Sequence, residues 1–166
     1  MTSTKKAYLA GGCFWGLEEL FRSQKGVVST EAGYTGGSNS NPTYGNHPGH
    51  AEVLEIEYNP EEISFKELLD FFFRIHNPTT MNQQGNDMGT AYRSAIFYQN
   101  DEEREESEDF IRIVDESGRW DSPVVTTLEK FDKFYQAEKE HQDYLQKYPN
   151  GYTCHYIHFE SYLPAK

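Results

Sequence analysis

Cys13 follows two glycines, Gly11 and Gly12, and precedes Phe14, Leu17, Leu20 and Phe21, which recur at helical spacing. The glycines permit a sharp turn, and the predicted helix begins just after the thiol, so its N-terminal dipole favours thiolate, the nucleophilic form of cysteine. Placement alone leaves two readings open, a reactive thiol or a small buried hydrophobe. Simpler chemistries fail on spacing. Glu19 stands where a Cys-x5-Arg phosphate cradle needs arginine, and the chain has neither a Cys-x2-Cys pair nor a His-Glu-x2-His metal site. A cysteine hydrolase with a histidine base remains possible, His50 being the nearest motif-like partner, although each of the six histidines has a surface or hydrogen-bonded core role as its ordinary reading. Glu52 lies between Ala51 and Val53 at the start of a strand heading into the core. Burial there raises a carboxyl pKa and makes an acid of it, whereas a solvated strand end leaves it an ordinary glutamate. Phe14 and Trp15 are either the wall of an apolar pocket or plain core.

The elements that position these residues are legible from periodicity. Lys5 to Ala10 reads as a strand, Val27 to Tyr34 as another, and Ala51 to Tyr58 as a half-buried strand in which Leu54, Ile56 and Tyr58 alternate with Glu55 and Glu57. Ser64 and Glu67 form a capping box ahead of a helix running to about Ile75. Residues 35–42 and Gln83 to Gly89 read as loops, Tyr92 to Tyr98 and Val124 to Leu128 as strands, and Ala137 to Lys147 as a helix before a Pro149-Asn150-Gly151 turn. Asp101 to Ser117 holds nine acids against Arg104 and Arg112, with Phe110, Ile113 and Val114 as its apolar stripe, which predicts an exposed amphipathic helix. Interleaved strands and helices without a linker or repeat point to a mixed sheet with helices packed on it, in one domain over 1–166. The formal net charge of −12 leaves no basic stripe for nucleic acid or anionic lipid. Short apolar runs predict neither export nor a membrane span. With only Cys13 and Cys154, a disulfide scaffold and a four-thiolate zinc site are out of reach, and a cytoplasmic setting keeps both thiols reduced at rest.

Gly12-Cys13-Phe14-Trp15-Gly16 resembles the active-site motif of the peptide methionine sulfoxide reductase A family. In the same order follow Gly33-Tyr34-Thr35-Gly36-Gly37, Asn41-Pro42-Thr43-Tyr44, Gly49-His50-Ala51-Glu52, the run from Gln84 to Ser94, and His141-Gln142-Asp143-Tyr144-Leu145, so the likeness spans nearly the whole chain. The resemblance implies an α+β, ferredoxin-like two-layer sandwich. It also implies reduction of the S epimer of methionine sulfoxide, in proteins or as the free amino acid, by a monomer with no metal and no organic cofactor. By position, Cys13 is the implied nucleophile, Glu52 the acid at the sulfoxide oxygen, Tyr44 and Tyr92 its hydroxyl partners, Asp87 a supporting polar group, and Phe14 with Trp15 the S-methyl pocket. Cys154 is the implied resolving thiol, with thioredoxin reducing the disulfide. Three departures stand out. The segment Gly45-Asn46-His47-Pro48 is shorter than in many relatives, which predicts a more open pocket rim. A single C-terminal cysteine predicts a one-step disulfide, and Met88 replaces a residue that is polar in many relatives. A peptide-binding module lined by aromatics is the non-enzymatic alternative.

Overall fold

The computed structural model describes residues 3–164, so the outermost two residues at each end of the expected 1–166 domain lie outside it. Strand β1 (Lys5–Gly11) leads into helix α1 (Phe14–Arg22), strands β2 (Val27–Thr35) and β3 (Ala51–Tyr58), and helix α2 (Phe65–Ile75). After a minimal hairpin, β4 (Gln83–Gln84) and β5 (Asp87–Met88), come β6 (Ser94–Tyr98), α3 (Asp101–Glu116), β7 (Thr127–Lys130), β8 (Tyr135–Gln136) and the single-turn α4 (Tyr144–Lys147). The main sheet has the order β7-β6-β1-β3-β2-β8. All its pairs are antiparallel except β6 with β7. Its centre, β6-β1-β3-β2 with α1 and α2 as crossovers, is the split βαβ arrangement of the expected α+β sandwich.

Alternation along the strands sorts the two faces. Ala7, Leu9, Leu54, Ile56 and Ile96 turn towards the helices and meet Leu17, Phe21, Leu68, Leu69, Phe72, Phe73 and Phe110 in the main core. Tyr8, Ala10, Val53, Ala95 and Phe97 turn the other way, under Phe131 and Phe134, and the Tyr8 and Phe131 rings stack at 4.0 Å. Coil from the β7–β8 region thus supplies a cover on the face without helices. Both arms of the Ser64–Glu67 capping box form, fixing the start of α2. In α3 three acids occupy the first turn, complementing the helix dipole, and Ile111 joins the apolar stripe against the core.

Four segments depart from the periodic reading. The loop at Gln83 to Gly89 contains the β4–β5 hairpin, turned by Gly85 at φ +59°. Tyr92 does not begin β6. It closes a 3₁₀ turn, Thr90–Tyr92, in which its N–H donates to the Gly89 carbonyl. β7 starts at Thr127 instead of Val124, because the Val125 N–H is drawn to the Pro78 carbonyl rather than to β6.

The largest departure is the expected helix from Ala137 to Lys147. It is broken into β8's end, a 3₁₀ turn at Lys139–His141 and α4, with Asp143 in the left-handed region at φ +54°. Tertiary bonds win over helical ones there. The Gln142 side chain accepts from the Ala32 N–H (2.8 Å) and donates to the Ala32 and Ala137 carbonyls, while the Asp143 N–H donates to buried Glu18 on α1 (2.8 Å). Gln142→Ala strips the Ala32 N–H of its partner, so we expect urea denaturation to show a loss of about 2 kcal/mol of stability.

Candidate active site

The site is built where β1, β3 and α1 converge. β1 ends at Gly11, Gly12 turns the chain at φ +98°, and Cys13 takes the N-cap position of α1 with only 3% of its surface exposed. A Cβ at Gly12 would overlap the Gln84 side chain, so the glycine is required by conformation and by space. Burial and then the neighbouring Glu52 charge push the Cys13 thiol well above its usual range, while the Trp15 N–H at the helix end pulls the other way with less effect. The expected helix-end stabilisation of thiolate is thus present but outweighed.

Glu52 shares the helix-facing side of β3 with Leu54 and Ile56, and its cross-strand neighbour on β2 is Tyr34. That parity carries it into the interior, where it is fully buried beneath the first turn of α1. Oε1 accepts the Phe14 N–H at 3.2 Å, and Oε2 has no partner among the described residues. A hydrogen bond to a charged group gives about 1.5–3 kcal/mol, less than the several kcal/mol that taking a carboxylate out of water costs. Burial therefore dominates and holds the Glu52 pKa up to about 8, so the carboxyl carries its proton at neutral pH. Glu52 is therefore a buried carboxyl and not a solvated strand end.

The Tyr44 and Tyr92 side chains lie close enough to influence each other's phenols. Burial first, and then Glu52, raises both phenols, which keeps them proton donors. Asp87 lies across the opening and accepts the Tyr152 hydroxyl at 3.2 Å. Burial raises its pKa, partly offset by that bond. Phe14 and Trp15 form one wall: Trp15 stacks on Tyr144 (3.9 Å), donates Nε1–H to His141 Nδ1 (3.1 Å), and lies 6.2 Å from the Tyr44 ring. Trp15 and Tyr44, together with His141, Tyr144 and Tyr148, border a hollow of about 390 Å³. The structure thus brings Cys13, Glu52, Tyr44, Tyr92 and Asp87 within electrostatic reach of one another, with Phe14 and Trp15 stacked beside Tyr44.

Cys154 comes to the same place from the C-terminal end. Its Sγ lies 3.8 Å from the Gln84 carbonyl, and the Gln84 side chain packs against Gly12, next to Cys13. Both thiols are free. The tail approaches because glycines leave room: a Cβ at Gly85 would crowd Cys154, and one at Gly16 would overlap Thr153 and His155. His50, by contrast, is taken up elsewhere. Its Nδ1 accepts the Gly37 N–H and its Nε2 bonds the Asn39 carbonyl, so it braces the 36–50 loop and offers Cys13 no base. The cysteine hydrolase reading loses its partner.

Several positioning residues escaped the sequence reading. Glu138 accepts the Tyr34 hydroxyl and the Tyr44 N–H, fixing where Tyr44 stands. Arg93 forks onto Glu129 (2.9 and 3.0 Å) and donates to the Gly49 and Thr90 carbonyls, clamping the turn that carries Tyr92. No spacing rule marks such long-range partners; only the proximity of Arg93 to the Tyr92 motif was a signal. Glu138, Glu140 and His141 lie close enough together to suggest a cation site, but the Glu138 oxygens and His141 Nδ1 are committed to the bonds just described. A soft nucleophile on one side and three neutral oxygen acids on the other suit attack at an atom whose oxygen must be protonated to leave.

The profile of the family described as peptide methionine sulfoxide reductase matches residues 5–162. A peptide methionine sulfoxide reductase MsrA of Nocardia farcinica is 59% identical over the whole chain and 98% of its own length. The chain also resembles reduced Mxr1 from Saccharomyces cerevisiae, at TM-score 0.81 and 39% identity over 94% of this chain and 93% of that one. Mxr1 in complex with Trx2 aligns at TM-score 0.60 and 30% identity, over 94% and 91%.

The buried carboxyl has a measurable signature. With a folded pKa of about 8 against the ordinary 4.5, Glu52 keeps its proton in the folded chain and loses it in the unfolded one across that window. The unfolded state then binds fewer protons, so this residue removes stability as pH rises, by about 1.4 kcal/mol per pH unit at most. Glu52→Gln should therefore gain stability over the parent from about pH 5 to pH 8, read from urea midpoints.

Proposed function

The chain belongs to the peptide methionine sulfoxide reductase family, type A, and on that premise we propose that Cys13 is its nucleophile, Glu52 its acid and Cys154 its resolving thiol. The observation that carries the reading is the fully buried, protonated Glu52 hydrogen-bonded to the first turn of the helix that begins at Cys13. A sulfoxide sulfur is a poor electrophile until its oxygen is protonated or strongly hydrogen-bonded. Glu52 delivers that proton, with the Tyr44 and Tyr92 hydroxyls donating to the same oxygen. Phe14 and Trp15 take the S-methyl group, which orients the S epimer, whether in a protein or as the free amino acid.

Proton and electron accounting is straightforward. The Cys13 thiol proton and the sulfoxide oxygen are both retained at the site as the Cys13 sulfur bonds to the methionine sulfur. Oxygen then passes to Cys13 as the S–S bond just formed and the methionine S–O bond both break, giving methionine and Cys13 sulfenic acid, with the Cys13 thiol proton replacing the one Glu52 gave to the oxygen. Methionine sulfur is reduced by two electrons and Cys13 oxidised by two. The Cys154 thiol next displaces hydroxide from the sulfenic sulfur, its proton leaves with that oxygen as water, and a Cys13–Cys154 disulfide remains. Thioredoxin restores the two thiols; the solved complex of Mxr1 with Trx2 supports this assignment. No organic cofactor or metal takes part in this scheme. The scheme is that of a cytoplasmic repair enzyme working as a single domain and as a monomer; among the described residues no helix is long and apolar enough to cross a membrane.

Single-turnover reduction of separate S and R epimers of a blocked methionine sulfoxide by the pre-reduced chain tests this directly. The S epimer alone should disappear, with a fall of about 2 Da in intact mass as the disulfide closes. Cys13→Ser should make no methionine. Cys154→Ser should make about one equivalent and then stall with thioredoxin, and sustained thioredoxin-driven turnover would sink Cys154 as the resolving thiol. Glu52→Gln, which keeps a donor, should be slowed less than Glu52→Ala.

A further inference from the structure

Beside Cys154 lies a residue that the reaction scheme leaves unused. His155 is almost wholly buried, and its Nε2 lies 2.6 Å from the Gly11 carbonyl, a contact joining the C-terminal tail to the end of β1. A carbonyl oxygen only accepts, so Nε2 carries the hydrogen. Burial holds the imidazole neutral, its pKa pulled down to about 4, and Nδ1 is therefore left as a lone-pair acceptor. That nitrogen lies 3.9 Å from Cys154 Sγ. Locally, the His155 N–H donates to Thr153 Oγ1, which sets the turn containing Cys154. On the other side, Gly16 of α1 leaves the space into which Thr153 and the His155 ring fit.

Gly11 is two residues from Cys13, so the anchor ties the tail to the same turn that presents the nucleophile. Without it, Cys154 is held by a long sulfur contact to the Gln84 carbonyl. We infer that His155 is the positioning residue of the resolving step, its Nε2–H bond to the Gly11 carbonyl holding Cys154 where it can meet the Cys13 sulfenic acid. This rests on the proposed reaction sequence and adds to it a residue that touches neither the sulfoxide nor the Cys13 sulfur. The step it serves is the one already balanced: the S–S bond forms, the Cys13 S–O bond breaks, and the Cys154 proton leaves as part of water.

Two steps can be timed in one quenched-flow experiment with S-sulfoxide, methionine released and disulfide closed. Gln places a donor where His has Nε2, whereas Asn places one only as far as Nδ1. His155→Gln should close the disulfide within about threefold of the parent, while His155→Asn and His155→Phe should close it about tenfold more slowly or worse. All three should release the first equivalent of methionine at close to the parent rate, which doubles as the folding control. Closure by His155→Phe at the parent rate overturns the inference, as does a His155→Gln variant no faster than His155→Phe. Should the variants fail to fold, ¹⁵N spectroscopy of the unsubstituted reduced protein still decides: a slowly exchanging Nε2–H is expected, and an Nδ1–H tautomer or a rapidly exchanging ring proton overturns it. A parent that releases no methionine defeats the proposed function instead, and the tautomer measurement keeps the two failures apart.

Discussion

A carboxyl group enclosed between a sheet and the first turn of a helix has two ways to lower its free energy: gather enough donors to stay ionised, or keep its proton. Among the described residues Glu52 has one backbone donor, the Phe14 N–H, and a second oxygen without a partner, so it keeps the proton. The consequence spreads outward. Tyr44 and Tyr92 stay protonated in part because Glu52 is near, and Cys13 is disfavoured as thiolate by the same burial and by the same neighbour. Cys13 hence gives up its proton less readily once Glu52 is ionised, and the reacting oxygen, not a resident base, is the natural destination of a proton.

Such a pair needs a fixed backbone around it. Gly12, held at positive φ, aims Cys13 at the helix end, and Arg93 and Glu138 fix the turns bearing the two tyrosines. The tail that brings Cys154 depends on absences instead: no side chain at Gly16 or Gly85, where one would collide with Thr153, His155 or Cys154. A thiol brought in along a glycine-cleared path, and only partly buried, stays accessible to an outside reductant, whereas Cys13 is almost covered.

The 137–147 segment shows the same priority of tertiary over local preference. As a continuous helix it would turn Gln142 and His141 according to helical period alone. Broken, it lets Gln142 serve as a false strand partner to Ala32 and sets His141 under Trp15. Glu18 and Arg22 of α1 both bond Asp143, so the aromatic wall and the nucleophile ride on one rigid unit.

Much of this was written in local sequence. β1, β2, β3 and α1 follow from periodicity, α2 from its capping box, and the position of Cys13 from the glycine pair before a helical stripe, because these depend on neighbours a few residues away. The motifs also carried the family, and with it Cys13, Glu52, Tyr44, Tyr92, Asp87, Phe14 and Trp15, though not Glu138, which fixes Tyr44, or Tyr148, which borders the hollow. Residue-by-residue chemistry was a different matter. From its neighbours alone Glu52 read first as a solvated strand end, although its even parity with Leu54 and Ile56 points inward; its protonation depends on what α1 places above it. The break at Asp143, the removal of His50 to the 36–50 loop, and the return of Cys154 beside Cys13 rest on bonds between residues far apart in sequence. Such bonds leave no periodic trace, so only the folded chain decides them.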